Sequence, residues 1–584
     1  VGADTAASLL DARSGSARHA RLEQTIRPNQ NWVLDPVQDT LFIIAAPLLS
    51  LAVALMLMQW FGAERGAVMV IMAHVILTVA HHMPTFIRIY GDVDLFKRFK
   101  WNFVLAPLIP LTLSAVVLGY INYHHYPVEY FLYLFIMLVL WDPWHFLRQH
   151  FGFMRIYDRH NAAPVKLAAN MDWWLCTAWF VHIMVASIDW LPGLLEDLYR
   201  SVNIPLLLAM PVGIVGILQP LTWWGAVLMS LVYVVYLGWC FKRGFYVSTA
   251  KMALMLCTFG VMYLTYTPND IILQLVPAWS FKVGFATVGI VHMTQYLAIV
   301  WRYDQRIAQQ GRARTGWFEW LHAQRSPLGI AVAAIAYVAF CVAYGNVITT
   351  SHDNRWLMSL LLAVGFTSTL LHYYYDGFIW KMRHQQNREA LDLHRIVITA
   401  QSEPKFTATS WWSSATTATA GRMFMRQLLY FGLPMGILTI GAMSVWQADR
   451  GNYLQPMYQA QTLSEQGNHQ AATESARKAY ARMQAELPMA RKLADLKPSS
   501  AHEASLAFLI YNESLYENKI MPQLAGKSST DEQLTQHREH IAEASNLLLS
   551  AVYRGGNLAH EGRESLTADQ ATDIAMSWQH QLSH

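Results

Sequence analysis

Apolar residues along this chain gather into runs of about twenty, separated by short polar loops, and about twenty residues is the length at which an α-helix crosses the hydrocarbon core of a bilayer. The runs fall near 41–60, 67–86, 103–122, 127–146, 172–191, 221–241, 252–267, 280–301, 328–347, 355–380 and 427–446. They predict an all-α, polytopic transmembrane helix bundle of eleven spans, or twelve if 204–219 also crosses. That last segment, IPLLLAMPVGIVGILQ, carries Pro205 and Pro211 and is followed by Pro220. It is expected to be re-entrant or interfacial, because irregular backbone survives at membrane depth only where protein or a cavity covers it.

The pattern changes after Trp446. Residues 447–584 are polar and rich in Ala, Glu, Gln and Ser, which predicts a separate soluble α-helical domain. Within it, Leu463 to Pro488 resembles one tetratricopeptide hairpin, with Leu463, Gly467, Ala471 and Ala479 near packing positions and Pro488 near the break. Residues 1–40 read as a polar N-terminal tail with Arg13, Arg18, Arg21 and Arg27. Three regions follow: the tail 1–40, a helical membrane domain 41–446 and the soluble domain 447–584.

Composition agrees with this division. Only 14% of the 584 residues are charged and 54% are hydrophobic, against about a quarter charged in ordinary soluble proteins. Lys and Arg residues cluster beside the apolar runs in the loops 88–100, 148–166, 242–251, 302–325 and 381–395. Loops of that kind face the cytoplasm. Counting spans from them places the N-terminus in the cytoplasm and the C-terminal domain in the periplasm, with the bundle in a bacterial inner membrane. The net charge of +4 is dispersed among these loops, so no nucleic-acid partner is expected. Cys176, Cys240, Cys257 and Cys341 all sit in apolar runs without CxxC spacing, which points away from a disulfide framework or a thiolate zinc site.

The histidines carry the candidate chemistry. His74, His81 and His82 lie on the second run; Asp142, His145, Gln149 and His150 on the fourth; His292 and Gln295 on the run that ends at Arg302; His372 and Asp376 on the run before Lys381. His145, His292 and His372 precede their basic anchors by nine or ten residues, roughly 15 Å along a helix, so they are expected at one depth. Polar groups at a common depth on several spans normally face a shared interior. Six imidazoles and a carboxylate suit iron, with zinc or copper as alternatives. His81, His82, His145, His150, His292, His372 and Asp376, with His74 the deepest, are the expected metal ligands. Their number suits two ions. Asp142, Gln149 and Gln295 are expected behind them, orienting the imidazoles. His150, about 140° around an ideal helix from His145, joins only if that helix unwinds near Gly152 or the loop folds back. Trp141, Trp144, Phe146, Tyr373, Tyr374 and Tyr375 are expected to form an apolar chamber for a lipid-like substrate. Arg88, Arg155, Arg302 and Lys381 read as interfacial anchors.

With the His81–His82 pair and the HxxxxH of His145 and His150, the sequence resembles the integral-membrane di-iron oxygenases, the alkane hydroxylases and the fatty-acid desaturases and hydroxylases, over residues 67–385. Single histidines on separate spans, His292 and His372, also resemble the bacterial membrane carotenoid-cleaving oxygenases. The resemblance implies a non-haem iron oxidoreductase that uses O2 to hydroxylate or desaturate a membrane lipid or other apolar substrate. With no GxGxxG fingerprint in the chain, electrons would come from a cytoplasmic donor, and the C-terminal domain would dock a protein partner. A haem- or quinone-linked redox subunit, a transporter, and a structural or assembly bundle with a buried histidine network are the alternatives.

Overall fold

The computed structural model describes residues 30–187, 190–202, 204–211, 213–309, 316–379, 419–446, 452–524, 526–556, 558 and 566–582. The N-terminal tail to residue 29 and the basic positions Lys381 and Arg383 lie outside the described residues. Those described are overwhelmingly helical, with no strand among them and a single isolated bridge between Leu558 and Leu566.

The principal helices of the apolar region are α1 Ala46–Trp60, α2 Ala63–Ala80, α3 His82–Gly91, α4 Leu108–Tyr123, α5 Ile136–Tyr157, α6 Val165–Ala186, α7 Trp190–Val202, α8 Ile214–Lys242, α9 Thr249–Tyr266, α10 Phe281–Gln309, α11 Pro327–Thr349, α12 Arg355–Ile379 and α13 Leu433–Trp446. By length and composition, eight helical stretches are able to cross a membrane. A ninth is added if the pair Pro36–Ile44 and Ala46–Trp60, bent by 51°, counts as one. The remaining two expected spans are helical, as α6 and α9, but fall short in hydropathy. The reason is local: α6 carries Asp172 and α9 carries Lys251, both fully buried in one ion cluster.

The segment 204–219 makes no crossing of its own. It forms a 3-10 turn, Leu206–Ala209, and then the start of α8. Gly213, at φ +78°, supplies the left-handed residue that turns the chain into α8.

Two prolines shape the helices that bear histidines. Pro84 has no N–H to give the carbonyl of Ala80, and the helix breaks there, with His81 between α2 and α3. Pro143 is absorbed within α5, which stays helical to Tyr157. On the opposite side, Gly345 of α11 lets the backbones touch, since a Cβ there would lie 2.2 Å from the Ile76 carbonyl oxygen of α2. Small residues serve membrane helix packing in this way. One apolar core, with Phe103, Phe131, Phe366 and Phe378, joins α4, α5, α12 and α13. A second, with Phe153, Ile183, Leu254 and Ile299, joins α5, α6, α9 and α10.

The basic residues near these helix ends differ from simple interfacial anchors. Arg88 is buried, 3.2 Å from Asp92 and 3.3 Å from Asp304, and lies over the Tyr303 ring. Arg155 contacts Asp158 and Asp172 at 3.1 and 2.6 Å. Carboxylates nearby in the fold answer these cations where solvent was expected to.

The C-terminal region is a stack of antiparallel helices: α14 Leu454–Glu465, α15 His469–Leu496, α16 Ser500–Leu515, α17 Asp531–Arg554 and α18 Ala568–His580. Gly467 and the cap Asn468 form the turn between α14 and α15, and Ala479 is fully buried as the hairpin pattern predicts. Pro488 does not end the helix; α15 runs through it to Leu496. The extra turns place Met489 and Leu493 against Leu207 and Met210 of the apolar region. Beside this contact, Glu196 of α7 meets His502 Nε2 at 3.1 Å and Lys497 Nζ at 3.5 Å.

Candidate metal centre

His81, His82, His145, His292 and His372 converge where α2, α3, α5, α10 and α12 meet. Their rings are in mutual contact. Centroid distances are 4.6 Å for His81–His82, 4.5 Å for His81–His372, 5.2 Å for His81–His292, 5.1 Å for His145–His292 and 5.2 Å for His145–His372. All except His145 are essentially inaccessible to solvent. Asp376, one turn after His372, points an oxygen into the group, 3.5 Å from His145 Nε2 and 3.8 Å from His372 Nε2.

The hydrogen bonds decide which nitrogens are available. His81 Nδ1 lies 3.3 Å from the Leu77 carbonyl oxygen. A carbonyl only accepts, so Nδ1 carries the proton and Nε2 presents a lone pair. His82 Nδ1 bonds Ser368 Oγ at 3.0 Å, and Tyr344 donates to the same hydroxyl. His372 Nδ1 bonds Thr85 Oγ1 at 2.9 Å. On the inner side, the Nε2 atoms of His81, His82, His145, His292 and His372 have no hydrogen-bond partner among the described residues. Buried polar atoms are nearly always satisfied, and each left unpaired costs about 1–3 kcal/mol. The His81 Nε2 lone pair faces this group of imidazoles and the Asp376 carboxylate, a place where a bound cation would be favourable.

Two overlapping triads have the spacing for an ion, His81/His292/His372 and His145/His372/Asp376, with ligand atoms in each within 4.8 Å of one another. Three donors each about 2.1 Å from one ion lie roughly 3.4–3.6 Å apart, so the side chains would draw together by up to about an ångström to close either triad. His372 belongs to both, yet its Nδ1 is engaged by Thr85, which leaves one nitrogen for metal. A second ion would therefore depend on His145, Asp376 and His82.

The other expected site residues are placed elsewhere. α5 does not unwind near Gly152, so His150 stays on another face, its ring 5.2 Å from that of Phe259. His74 packs against Phe285 and over Gly289, where a Cβ would come within 2.3 Å of the imidazole, and Thr78 Oγ1 lies 3.5 Å from its Nε2. Gln149 donates to the His292 carbonyl and to Gln295 Oε1, and Gln295 donates to the Ile43 carbonyl. These amides fasten α5, α10 and the N-terminal turn together. Asp142 accepts from Tyr373 at 3.2 Å.

Thr85 and Ser368, which bond imidazoles, and Tyr296, which bonds Thr85 and Asp376, were not singled out from the sequence. A signal was there. Thr85 follows His81 by four residues, Tyr296 follows His292 by four, and Ser368 precedes His372 by four, the spacing that stacks side chains on one helix face.

Beside His292 lies a small, narrow pocket lined by Asp142, Pro143, Phe146, Met262, Tyr266, Phe285 and Val288. Of the expected chamber residues, only Phe146 lines it. Trp144 packs on Trp173, and Tyr375 donates to the Phe103 carbonyl.

No protein-family model, curated protein or solved structure matches this chain.

Proposed function

We propose that the protein is an integral-membrane oxidoreductase with a histidine-ligated transition-metal centre, iron in first place and zinc or copper as alternatives. The observation that carries this reading is the pair of overlapping buried triads, His81/His292/His372 and His145/His372/Asp376, whose imidazole Nε2 atoms have no hydrogen-bond partner among the described residues. Neutral imidazoles with a hard oxygen are the donor set such ions take. Five rings in contact leave room for an ion but no slot for a flat macrocycle, which favours a bare metal over haem. His81, His292 and His372 would hold the ion, with His145, His82 and Asp376 completing its surroundings.

When bound, iron supplies reductive activation of O2. Monooxygenation of an apolar substrate takes R–H, O2, two electrons and two protons to R–OH and water, the electrons coming from a cytoplasmic reductant. The walls of the cavity beside His292 would orient the substrate, and burial of the histidines would keep bulk water away. Exposed apolar side chains support a bilayer setting: Leu221, Leu228 and Val235 of α8 and Leu328 and Ile335 of α11 are each 64–76% accessible. Contact between the C-terminal domain and the segment after α6 requires both on one side of the membrane. The loop count puts both on the periplasmic side.

Elemental analysis of the purified protein tests the centre. Transition metal is expected in the wild type, with at least a several-fold loss in His145→Ala and His372→Ala. Full retention in both variants would end this reading, and a Soret band would transfer it to haem.

A further inference from the structure

We propose that Thr85 and Tyr296 are positioning residues: they form a directed hydrogen-bond relay that fixes the tautomer of His372 and so selects Nε2 as its metal-binding atom. The inference deepens the metal reading above and rests on it for its consequence.

The relay joins three helices that each bring a candidate ligand. Tyr296 Oη of α10 donates to Asp376 Oδ1 of α12 at 2.6 Å. Thr85 Oγ1 of α3 lies 2.6 Å from Tyr296 Oη and 2.9 Å from His372 Nδ1. Thr85, Tyr296 and His372 are at most 1% accessible, so bulk water does not complete these bonds.

Proton counting gives the chain its direction. A phenol has one proton, and the carboxylate takes it. Thr85 must then donate its own single proton to Tyr296 Oη, because that oxygen can only accept. With its proton committed, Thr85 can only accept from His372, which therefore carries hydrogen on Nδ1. His372 Nε2 is left as a lone pair facing the other imidazoles. Metal-bound histidines commonly hold the distal N–H in this way, and loss of the holding group typically costs about 10–100-fold in metal affinity. Here the hold ends on Asp376, whose second oxygen faces the centre, so the relay also fixes the rotation of the carboxylate.

The test uses full-length protein in detergent, stripped by chelator and titrated with iron(II) and, separately, zinc(II). Thr85→Val, which keeps shape and removes the hydroxyl, is expected to weaken binding by about 10–100-fold, and Tyr296→Phe by about tenfold. Thr85→Ser, which keeps the hydroxyl, is expected to stay within about threefold of wild type. Nitrogen-15 spectra of histidine-labelled, metal-free protein, assigned with His372→Gln, should show His372 protonated on Nδ1 in wild type and mixed in Thr85→Val. Wild-type affinity in Thr85→Val, or a His372 proton on Nε2 in the wild type, overturns the relay. A wild type that binds neither metal overturns the metal reading instead, and the spectra still decide the tautomer.

Discussion

Two of the polar clusters buried among the described helices are built on opposite principles. Between α5, α6, α8 and α9, Lys251 lies 2.9 Å from Asp158 and 3.1 Å from Asp172, Arg155 contacts both carboxylates, and Tyr233 donates to Asp172 at 2.8 Å. Two anions meet two cations, and a hydroxyl completes the shell. The histidine centre has the same depth of burial but no such closure: its inner nitrogens face each other and an acid. A buried network that serves the fold is satisfied within the protein. On the proposed reading, the cluster left open is the one whose partner comes from outside, and this contrast supports that proposal more than the number of histidines does.

The largest expected effect breaks the closed cluster. Lys251→Met leaves two carboxylates with one cation and should destabilise the protein by about 3–5 kcal/mol, measured as unfolding in detergent, while metal content per chain stays at the wild-type value. A shift under about 1 kcal/mol would mean that water, rather than Lys251, answers those acids.

The open cluster should respond in the reverse sense. In metal-free protein, His292→Leu replaces an imidazole with two unpartnered nitrogens and is expected to be neutral or stabilising by about 1–2 kcal/mol. Loss of several kcal/mol would show that the ring has partners of its own and would erase the distinction.

A third test concerns an intermediate case in the C-terminal domain. His537 is buried with Nδ1 on Ser514 Oγ at 2.9 Å. Burial, then the charges of Lys519 and His540, push its pKa down to about 4 from 6.5. The fold favours the neutral ring, so its contribution is complete above pH 6.5 and fades as pH falls through about 4. Thermal unfolding followed by circular dichroism should show stability falling across that window, and His537→Leu should flatten the profile. An unchanged profile in the variant would assign the acid sensitivity elsewhere.

Much of the fold is legible in the hydropathy pattern, because span length is set by bilayer thickness and every backbone group must bond within its own helix. The shortfall of α6 and α9 was hidden for a reason of the same kind: Asp172 and Lys251 lower the hydropathy of helices that still pack inside, and only their meeting in space neutralises them. At the site, the common depth expected for His145, His292 and His372 goes with a His145 ring 5.1 and 5.2 Å from those of His292 and His372. Depth alone does not fix rotation about the helix axis. His150 and His74 share the same helical stretches as true neighbours of the centre, yet face Phe259 and Phe285.

The sequence by itself determined the all-α architecture, the change of character after Trp446 and which helices carry histidine, since these follow from local composition and the period of the helix. The tertiary structure alone decided which imidazoles point at one another, that Thr85 and Tyr296 stand behind His372, and that α15 passes through Pro488 to reach Leu207. Each of those outcomes depends on how helices are rotated and packed against partners hundreds of residues away, and contacts at that separation leave no periodic trace in a single chain.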